Sequence, residues 1–421
     1  MHLTPDEQAM AEGAAGEAAA MAMRIVAEAG RIMGAERLVP IVSAHIDGCL
    51  YHGDSGVDFA ERLVALGGRV AVPATLNVGA LDLLHPEIVR GPAHDRAMAR
   101  RLMDAYLALG CAPSWTCAPY QAGHRPGLGE HVAWGESNAV AFLNSVLGAR
   151  SERYGDFLDI AAAISGRAPE TGLHLDRNRR ATVVVDTSPV SPALKAQDVF
   201  YPVLGAWLGA EAGSAVAAIT GLDGLGAVTE DNLKALGAAA ASSGAVGLFH
   251  VVGVTPEAPS LEAALGGDNP EATIALTPDM LQAARDRLST TGADRIDAVA
   301  LGSPHFSLEE FAALERLAAG KRFAVPFFVC TGRHALDALE REGRAEVLQS
   351  AGVSIVADTC VVVAPILPDA APGTRVLMTN SGKFAHYTPA NTGYEVIYGS
   401  LEDCVASALT GEMSRDEAIW R

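Results

Sequence analysis

Three of the six cysteines stand at the ends of apolar, strand-like runs, each beside polar or Gly/Pro turn residues: Cys117 in SWTCAPY, Cys330 in FAVPFFVCTGR and Cys360 in VSIVADTCVVVAP. Strand ends are where α/β proteins gather catalytic groups. Three thiolates from separate segments would hold an iron–sulfur cluster and leave one iron open to a ligand. No CxxC pair reinforces that reading, so spacing alone leaves it beside a plainer one, in which the cysteines are small buried hydrophobes.

A second set of residues has the chemistry of an anion site. Arg150 and Arg153, in GARSERYG, each offer a planar guanidinium with bidentate geometry, although Glu152 between them also fits a charged surface. Lys383 ends the stretch Thr379-Asn380-Ser381-Gly382-Lys383, whose small residues leave backbone N–H groups open to an anion, with Ser381 placed to touch a substrate. The stretch lacks the first glycine of a phosphate-binding loop, and Gly224 to Gly226 is an isolated GxG, so neither a nucleotide nor a nicotinamide is supported. Ser137 and Asn144, like Asn138 and Ser145, are seven apart and share one face of an otherwise apolar helix over 137–147. That pattern fits either a lined cavity or a solvated face.

Elements must bring these groups to strand ends. Thr4-Pro5-Asp6-Glu7 reads as a capped helix start, followed by an amphipathic helix to about Gly34. Residues 38–43 read as a buried strand ending in the polar loop His45-Ile46-Asp47-Gly48, and 57–66 as a helix. A strand over 70–72 leaves Thr75 and Asn77 just beyond it, the place for substrate contacts. A helix through 98–109 leads to Cys117 and a Gly/Pro/His-rich loop at 119–130. After about residue 180, VVVDTS, VAAIT, GAVGLFHVVGV and IDAVALG alternate with Ala-rich helices; from Gly302 the polar motifs return, with the Cys330 and Cys360 strands and a loop over 379–387. This alternation predicts an α/β protein of several subdomains with mostly parallel sheets. Its texture divides the chain into an N-terminal region, 1–180, a middle subdomain, 181–300, and a C-terminal region, 301–421, that completes the cysteine site.

With 421 residues, 49% of them apolar and 19% charged, the chain can bury a sizeable core, and disorder is not expected. Its 31 Lys and Arg against 50 Asp and Glu give a formal charge of −19. Such a field repels phosphate backbones and anionic lipid, which excludes nucleic acid and membrane as expected partners, and any acidic substrate needs a local cationic pocket. The first residues carry acids and no basic segment, and no apolar run is long enough to span a bilayer, so a cytoplasmic, reducing location is expected.

The phrases LVPIVSAHIDGCLYHGDSG, VAVPATLNVG, GCAPSWTCAPYQ, GESNAVAFLNSVLGARSERYGDFLDI, LGSPHFSLEE, ADTCVVVAP and MTNSGKFAHY, in that order, resemble the large subunit of aconitase X, a hydro-lyase branch of the aconitase superfamily. The resemblance runs from LTPDEQAMAEG to SLEDCVASALTGE. It implies an aconitase-like fold built around a central cluster cleft, with Cys117, Cys330 and Cys360 at the positions of the cluster ligands. It also brings forward His45, His305 and His386, each able to move a proton or orient a hydroxyl and each equally able to be a satisfied structural histidine. Asp47 beside His45 is placed either to fix its tautomer or to form a turn.

The family dehydrates small β-hydroxy acids. Hydroxide is a poor leaving group and the α-proton is weakly acidic, so a Lewis-acidic iron and a base answer the two difficulties. Bacterial members act on cis-3-hydroxy-L-proline and archaeal ones on mevalonate 5-phosphate; an Ala/Arg-rich chain with only four lysines favours the first. The family's catalytic unit also has a small swivelling domain, fused or separate, and the expectation is a separate small aconitase X subunit forming a heterodimer. The expected roles are catalytic for His45, His305, Ser381 and Lys383, and substrate-binding for Thr75, Asn77, Ser137, Asn138, Asn144, Ser145, Arg150 and Arg153. Two other readings stand beside this one: a cluster-free binding or assembly subunit, and a mononuclear-metal enzyme built on the histidines.

Overall fold

The computed structural model describes residues 1–223, 228–368 and 375–420, so the GxG of Gly224 to Gly226 falls outside the described residues. The chain forms two compact units, one of Met1–Leu81 with Gly91–Arg180, the other of Asp82–Arg90 with Ala181–Arg421.

In the first unit Thr4 caps the helix Pro5–Ala11 in a reciprocal box with Glu7. The helix does not continue to Gly34 as its periodicity predicts: Gly13 and Gly16, at φ of 106° and 95°, break it, and a second helix occupies Glu17–Ile32. The strands are β1 (Leu38–Pro40), β2 (Ala44–Ile46), β3 (Ala74–Leu76), β4 (Ala133–Trp134) and β5 (Arg167–Pro169). β1 and β5 pair antiparallel, whereas β3-β2-β4 form a parallel sheet. Two expectations change here. His45 lies within β2 rather than in the loop after it, and Thr75 lies within β3, because the strand forms at 74–76 and not at 70–72. Helices Asp54–Ala65 and Ala93–Ala108 lie in the crossovers from β2 to β3 and from β3 to β4, pack on one another and bury Val57, Ala60, Leu63, Leu102 and Met103.

The second unit has two fully parallel sheets. β6 (Val183–Asp186), β7 (Ala217–Thr220), β8 (Phe249–Val251) and β9 (Ala272–Ala275) take the order β8-β7-β6-β9. β10 (Ala298–Leu301), β11 (Phe327–Thr331), β12 (Val353–Ala357), β13 (Val376–Thr379) and β14 (Glu395–Tyr398) take the order β12-β11-β10-β13-β14. β10, buried along its whole length, is the first strand in chain order and the third in space. The chain builds outward from it on one side and then on the other, so the gap between the carboxyl ends of β10 and β13 is the topological switch point where α/β sheets bind ligands. The expected loop over 379–387 is instead the end of β13 and a helix, Gly382–Thr392, capped by Ser381 through the Phe384 N–H at 3.0 Å. Burial of Phe384, Ala385 and Thr388 stabilises a segment whose Gly and Pro do not favour a helix locally. Among the described residues no helix is long and apolar enough to cross a membrane.

Candidate active site

In the first unit the parallel sheet delivers polar groups from three adjacent strands. His45 and Thr75 are register partners on β2 and β3, and Nδ1 of His45 lies 2.8 Å from Oγ1 of Thr75. The same hydroxyl is 2.6 Å from Nδ1 of His124, a residue of the 119–130 loop given no role by sequence reasoning. Trp134 of β4 packs on both imidazoles, with centroids 5.5 Å from His45 and 5.1 Å from His124. Burial first, then the neighbouring His124, holds His45 down to a pKa of about 3; burial alone takes His124 to about 4. Asp47 does not orient His45, since Thr75 holds that position.

Asp47 turns to Asn77, the residue just past β3, whose amide also donates to Glu136 at 2.7 Å. Its own N–H meets the Asp159 carboxylate at 2.7 Å. Three carboxylates thus gather past β2 and β4. Burial, reinforced by Glu136, raises the Asp47 pKa well above the usual range, and burial raises Asp159 to about 7. The thiol of Cys49, which donates to the Ile46 and Asn77 carbonyls and is held protonated by burial, is packing.

The polar helix face divides by function. The helix Ser137–Phe142 widens into a π-turn over Leu143–Leu147. Asn138 donates to the Cys117 carbonyl at 2.7 Å and so fixes the segment bearing that cysteine. Asn144 instead ties the turn: it exchanges hydrogen bonds with the Ser151 backbone at 2.9 and 3.1 Å and accepts from the buried Arg179 at 3.0 Å. Ser145 is buried and Ser137 half-buried. Arg150 is engaged with Asp176 and with the His174 carbonyl at 3.2 Å, whereas Arg153 is half-buried and has no ion pair among the described residues.

The second unit carries the other two cysteines at the carboxyl ends of neighbouring parallel strands. Cys330 is the penultimate residue of β11, in register with Val356 of β12, and Cys360 follows β12 by three residues. Asp358, at φ 62°, turns the chain between them; its fully buried carboxylate takes Nε of Arg333 at 2.5 Å and Nη2 at 2.7 Å. Asp82 accepts from the Ala357 N–H at 3.0 Å, adding a second carboxylate brace. Sequence reasoning missed both, because nothing local marks residues 275 apart as neighbours. Past β10, the His305 ring approaches the Thr359 carbonyl at 3.4 Å, and burial takes its pKa to about 3, with Lys383 among the cations adding to the shift. Lys234, 2% exposed, donates to the His305 carbonyl at 3.3 Å and pairs with Asp231 and Glu310. A cavity of about 310 Å³ opens at the switch point, lined among others by Ser303, Ser381, Lys234 and Glu310. Ser381 donates to the Ser303 carbonyl there, Lys383 is half-buried at the second residue of its helix, and His386 is exposed against Tyr387.

The donor chemistry fits an iron–sulfur cluster. Cys117, Cys330 and Cys360 are buried thiols, 5%, 0% and 7% exposed. Cys330 and Cys360 stand at or just past the end of a strand, whereas the strand expected before Cys117 does not form, and that cysteine lies in irregular chain five residues after the isolated bridge of Ala112 to Thr75, held by Asn138. Thiolates are the soft ligands iron–sulfur centres require. Cys117 belongs to the first unit and the other two to the second, and among the described residues no three His, Cys, Asp or Glu side chains already stand as a metal cage.

Comparison with known proteins agrees with the resemblance. The models of the first, second and third domains of aconitase X match residues 1–177, 181–286 and 296–410. A cis-3-hydroxy-L-proline dehydratase of Pseudomonas aeruginosa is 43% identical over 98% of this chain and 71% of its own length. The phosphomevalonate dehydratase large subunit of Methanothermobacter thermautotrophicus is 40% identical over 94% of this chain and 96% of its own. The crystal structure of Thermococcus kodakaraensis aconitase X in its holo-form superposes with a TM-score of 0.85 at 34% identity, covering 97% of this chain and all of that one. Three domain models matched in chain order, and a solved relative that shares the fold from end to end, lead to one conclusion: the chain belongs to the aconitase X family.

Proposed function

We propose that this chain is the large, cluster-bearing part of a hydro-lyase that dehydrates cis-3-hydroxy-L-proline to an enamine, which tautomerises to 1-pyrroline-2-carboxylate. The 43% identity to the Pseudomonas dehydratase over 98% of the chain carries this reading. Cys117, Cys330 and Cys360 would hold the cluster, which supplies a Lewis-acidic iron for the departing hydroxyl.

The chain's own residues do the rest. Burial keeps His45 and His305 neutral at physiological pH, so each can accept or pass a proton. Arg153 and Lys383, half-buried, are the carboxylate clamp, favouring the enolate-like charge that grows as the α-proton leaves. Arg150 supports the clamp's loop through Asp176. Asn138 holds the Cys117 segment, and Ser381 shapes the cavity between β10 and β13. A small subunit completes the enzyme, by analogy with the archaeal large subunits, which this chain matches over nearly their whole length. It acts in the cytoplasm, where thiolates stay reduced.

Anaerobic purification with the small subunit tests the proposal. A brown protein with acid-labile sulfide that turns over cis-3-hydroxy-L-proline supports it. Cys117→Ala, Cys330→Ala and Cys360→Ala should each lose iron and sulfide while staying folded, with Cys404→Ala as the control. Turnover of mevalonate 5-phosphate alone would move the substrate, full activity without the small subunit would remove the partner, and cysteine variants that keep iron and turnover would refute the ligand set.

A further inference from the structure

The hydroxyl of Thr75 lies between two imidazoles, 2.8 Å from Nδ1 of His45 and 2.6 Å from Nδ1 of His124. A hydroxyl has one proton to give. Burial keeps both rings neutral near pH 7, so each ring carries one N–H and one bare nitrogen. These two nitrogens are the hydroxyl's hydrogen-bond partners, which means that it donates to one Nδ1 and accepts from the other. The tautomers are therefore opposite: one ring has its proton on Nδ1 and a bare Nε2, and the other has a bare Nδ1 and its proton on Nε2. Both Nε2 atoms are buried; that of His124 has no partner among the described residues, and the His45 ring meets the Thr116 backbone. Trp134 packs on both rings and keeps them facing Thr75.

We propose that His124, Thr75 and His45 form a proton relay serving the site, with His124 as a functional residue and Thr75 as the coupling group. This deepens the dehydratase reading and rests on it. A proton taken up at the bare Nε2 of one ring lets that ring's Nδ1 proton pass to the Thr75 oxygen. The Thr75 proton moves to the other Nδ1, and the second ring releases its Nε2 proton. One proton enters and one leaves, both tautomers invert, and neither buried ring is left charged. Dehydration removes one proton from carbon and supplies one to the departing oxygen, and the relay moves either without stabilising an imidazolium in a buried place.

Long-range proton–nitrogen spectra of the ¹⁵N-histidine-labelled full chain, recorded without cluster or substrate and assigned with His45→Gln and His124→Gln, read the tautomers directly. One Nδ1–H ring and one Nε2–H ring are expected. The same tautomer on both rings, or an imidazolium at pH 7, overturns the relay. In the reconstituted complex, Thr75→Val and His124→Gln should lower kcat about 100-fold or more with KM changed less than about threefold, and Thr75→Ser should restore it. Unchanged kcat in both Thr75→Val and His124→Gln refutes the role of the relay in turnover. A wild-type complex that dehydrates neither hydroxyproline nor mevalonate 5-phosphate sinks the proposed function instead, and the spectra still decide whether the pair exists.

Discussion

Arg333→Met tests how the segment before Cys360 is held. The guanidinium gives Asp358 two charge-assisted hydrogen bonds, at 2.5 and 2.7 Å, and the carboxylate it meets is fully buried. Each such bond contributes about 1.5–3 kcal/mol. The Arg333 side chain keeps 30% of its surface in water, so solvent replaces part of that interaction on truncation, and the net loss should be about 2–4 kcal/mol. Asp358 also accepts from the Leu83 N–H at 3.1 Å, and the neighbouring Ala357 N–H meets Asp82, so local opening exposes both amides. At about 1.4 kcal/mol per factor of ten, their hydrogen exchange should accelerate by about 30- to 1000-fold at pH 7, measured on peptides spanning 82–90 and 353–360. The sign with pH follows from the carboxylate. Burial already raises the Asp358 pKa above its unfolded value and Arg333 opposes that rise; without Arg333 it climbs further. The loss is therefore full above the variant's raised pKa and fades as pH falls through it, because a proton then replaces the guanidinium. A change below about threefold, or one that does not shrink on acidification, would refute this account of the brace.

Gly302, at φ 89°, lies so that a Cβ would run into the Cys330 backbone, and Gly302→Ala should cost about 2 kcal/mol or more and lower iron content; unaltered iron would show that the β10 and β11 ends tolerate displacement. Lys234→Met leaves Asp231 and Glu310, each about a quarter exposed, without their shared cation and should cost about 2–4 kcal/mol by urea unfolding at alkaline pH, solvent taking up part of the loss. Burial has already raised Glu310 to about 7, so losing Lys234 raises it further; the Glu310 part of the deficit is full above the variant's raised pKa and fades as pH falls from there toward 7, and a deficit that does not shrink from alkaline pH to pH 7 would be contrary to this reading. For the proposed clamp, Arg153→Ala or Lys383→Ala should lower kcat/KM by about 100- to 1000-fold, the size expected for one lost oxyanion donor. Two unchanged values would move the clamp to other residues.

Much of this protein is written locally. The α/β class follows from the alternation of apolar runs and capped helices, which is a short-range property: Thr4, Ser307 and Ser400 cap the helices that follow them through contacts three residues away. The family was legible too, because ordered phrases such as SAHIDG and ADTCVVVAP survive as words. What the words could not convey was which residues face one another. Periodicity put a strand at 70–72, but β3 forms at 74–76, where pairing with β2 sets the register and brings Thr75 beside His45. The 379–387 stretch reads as a loop because Gly382 and Pro389 disfavour a helix, and only burial of Phe384 and Ala385 against the folded unit outweighs that preference. His124 gained its place through Thr75, 49 residues away, and Asp82 through Ala357, 275 away. Hydrogen bonds across such separations depend on the crossovers of parallel sheets, a non-local geometry that no window of sequence contains.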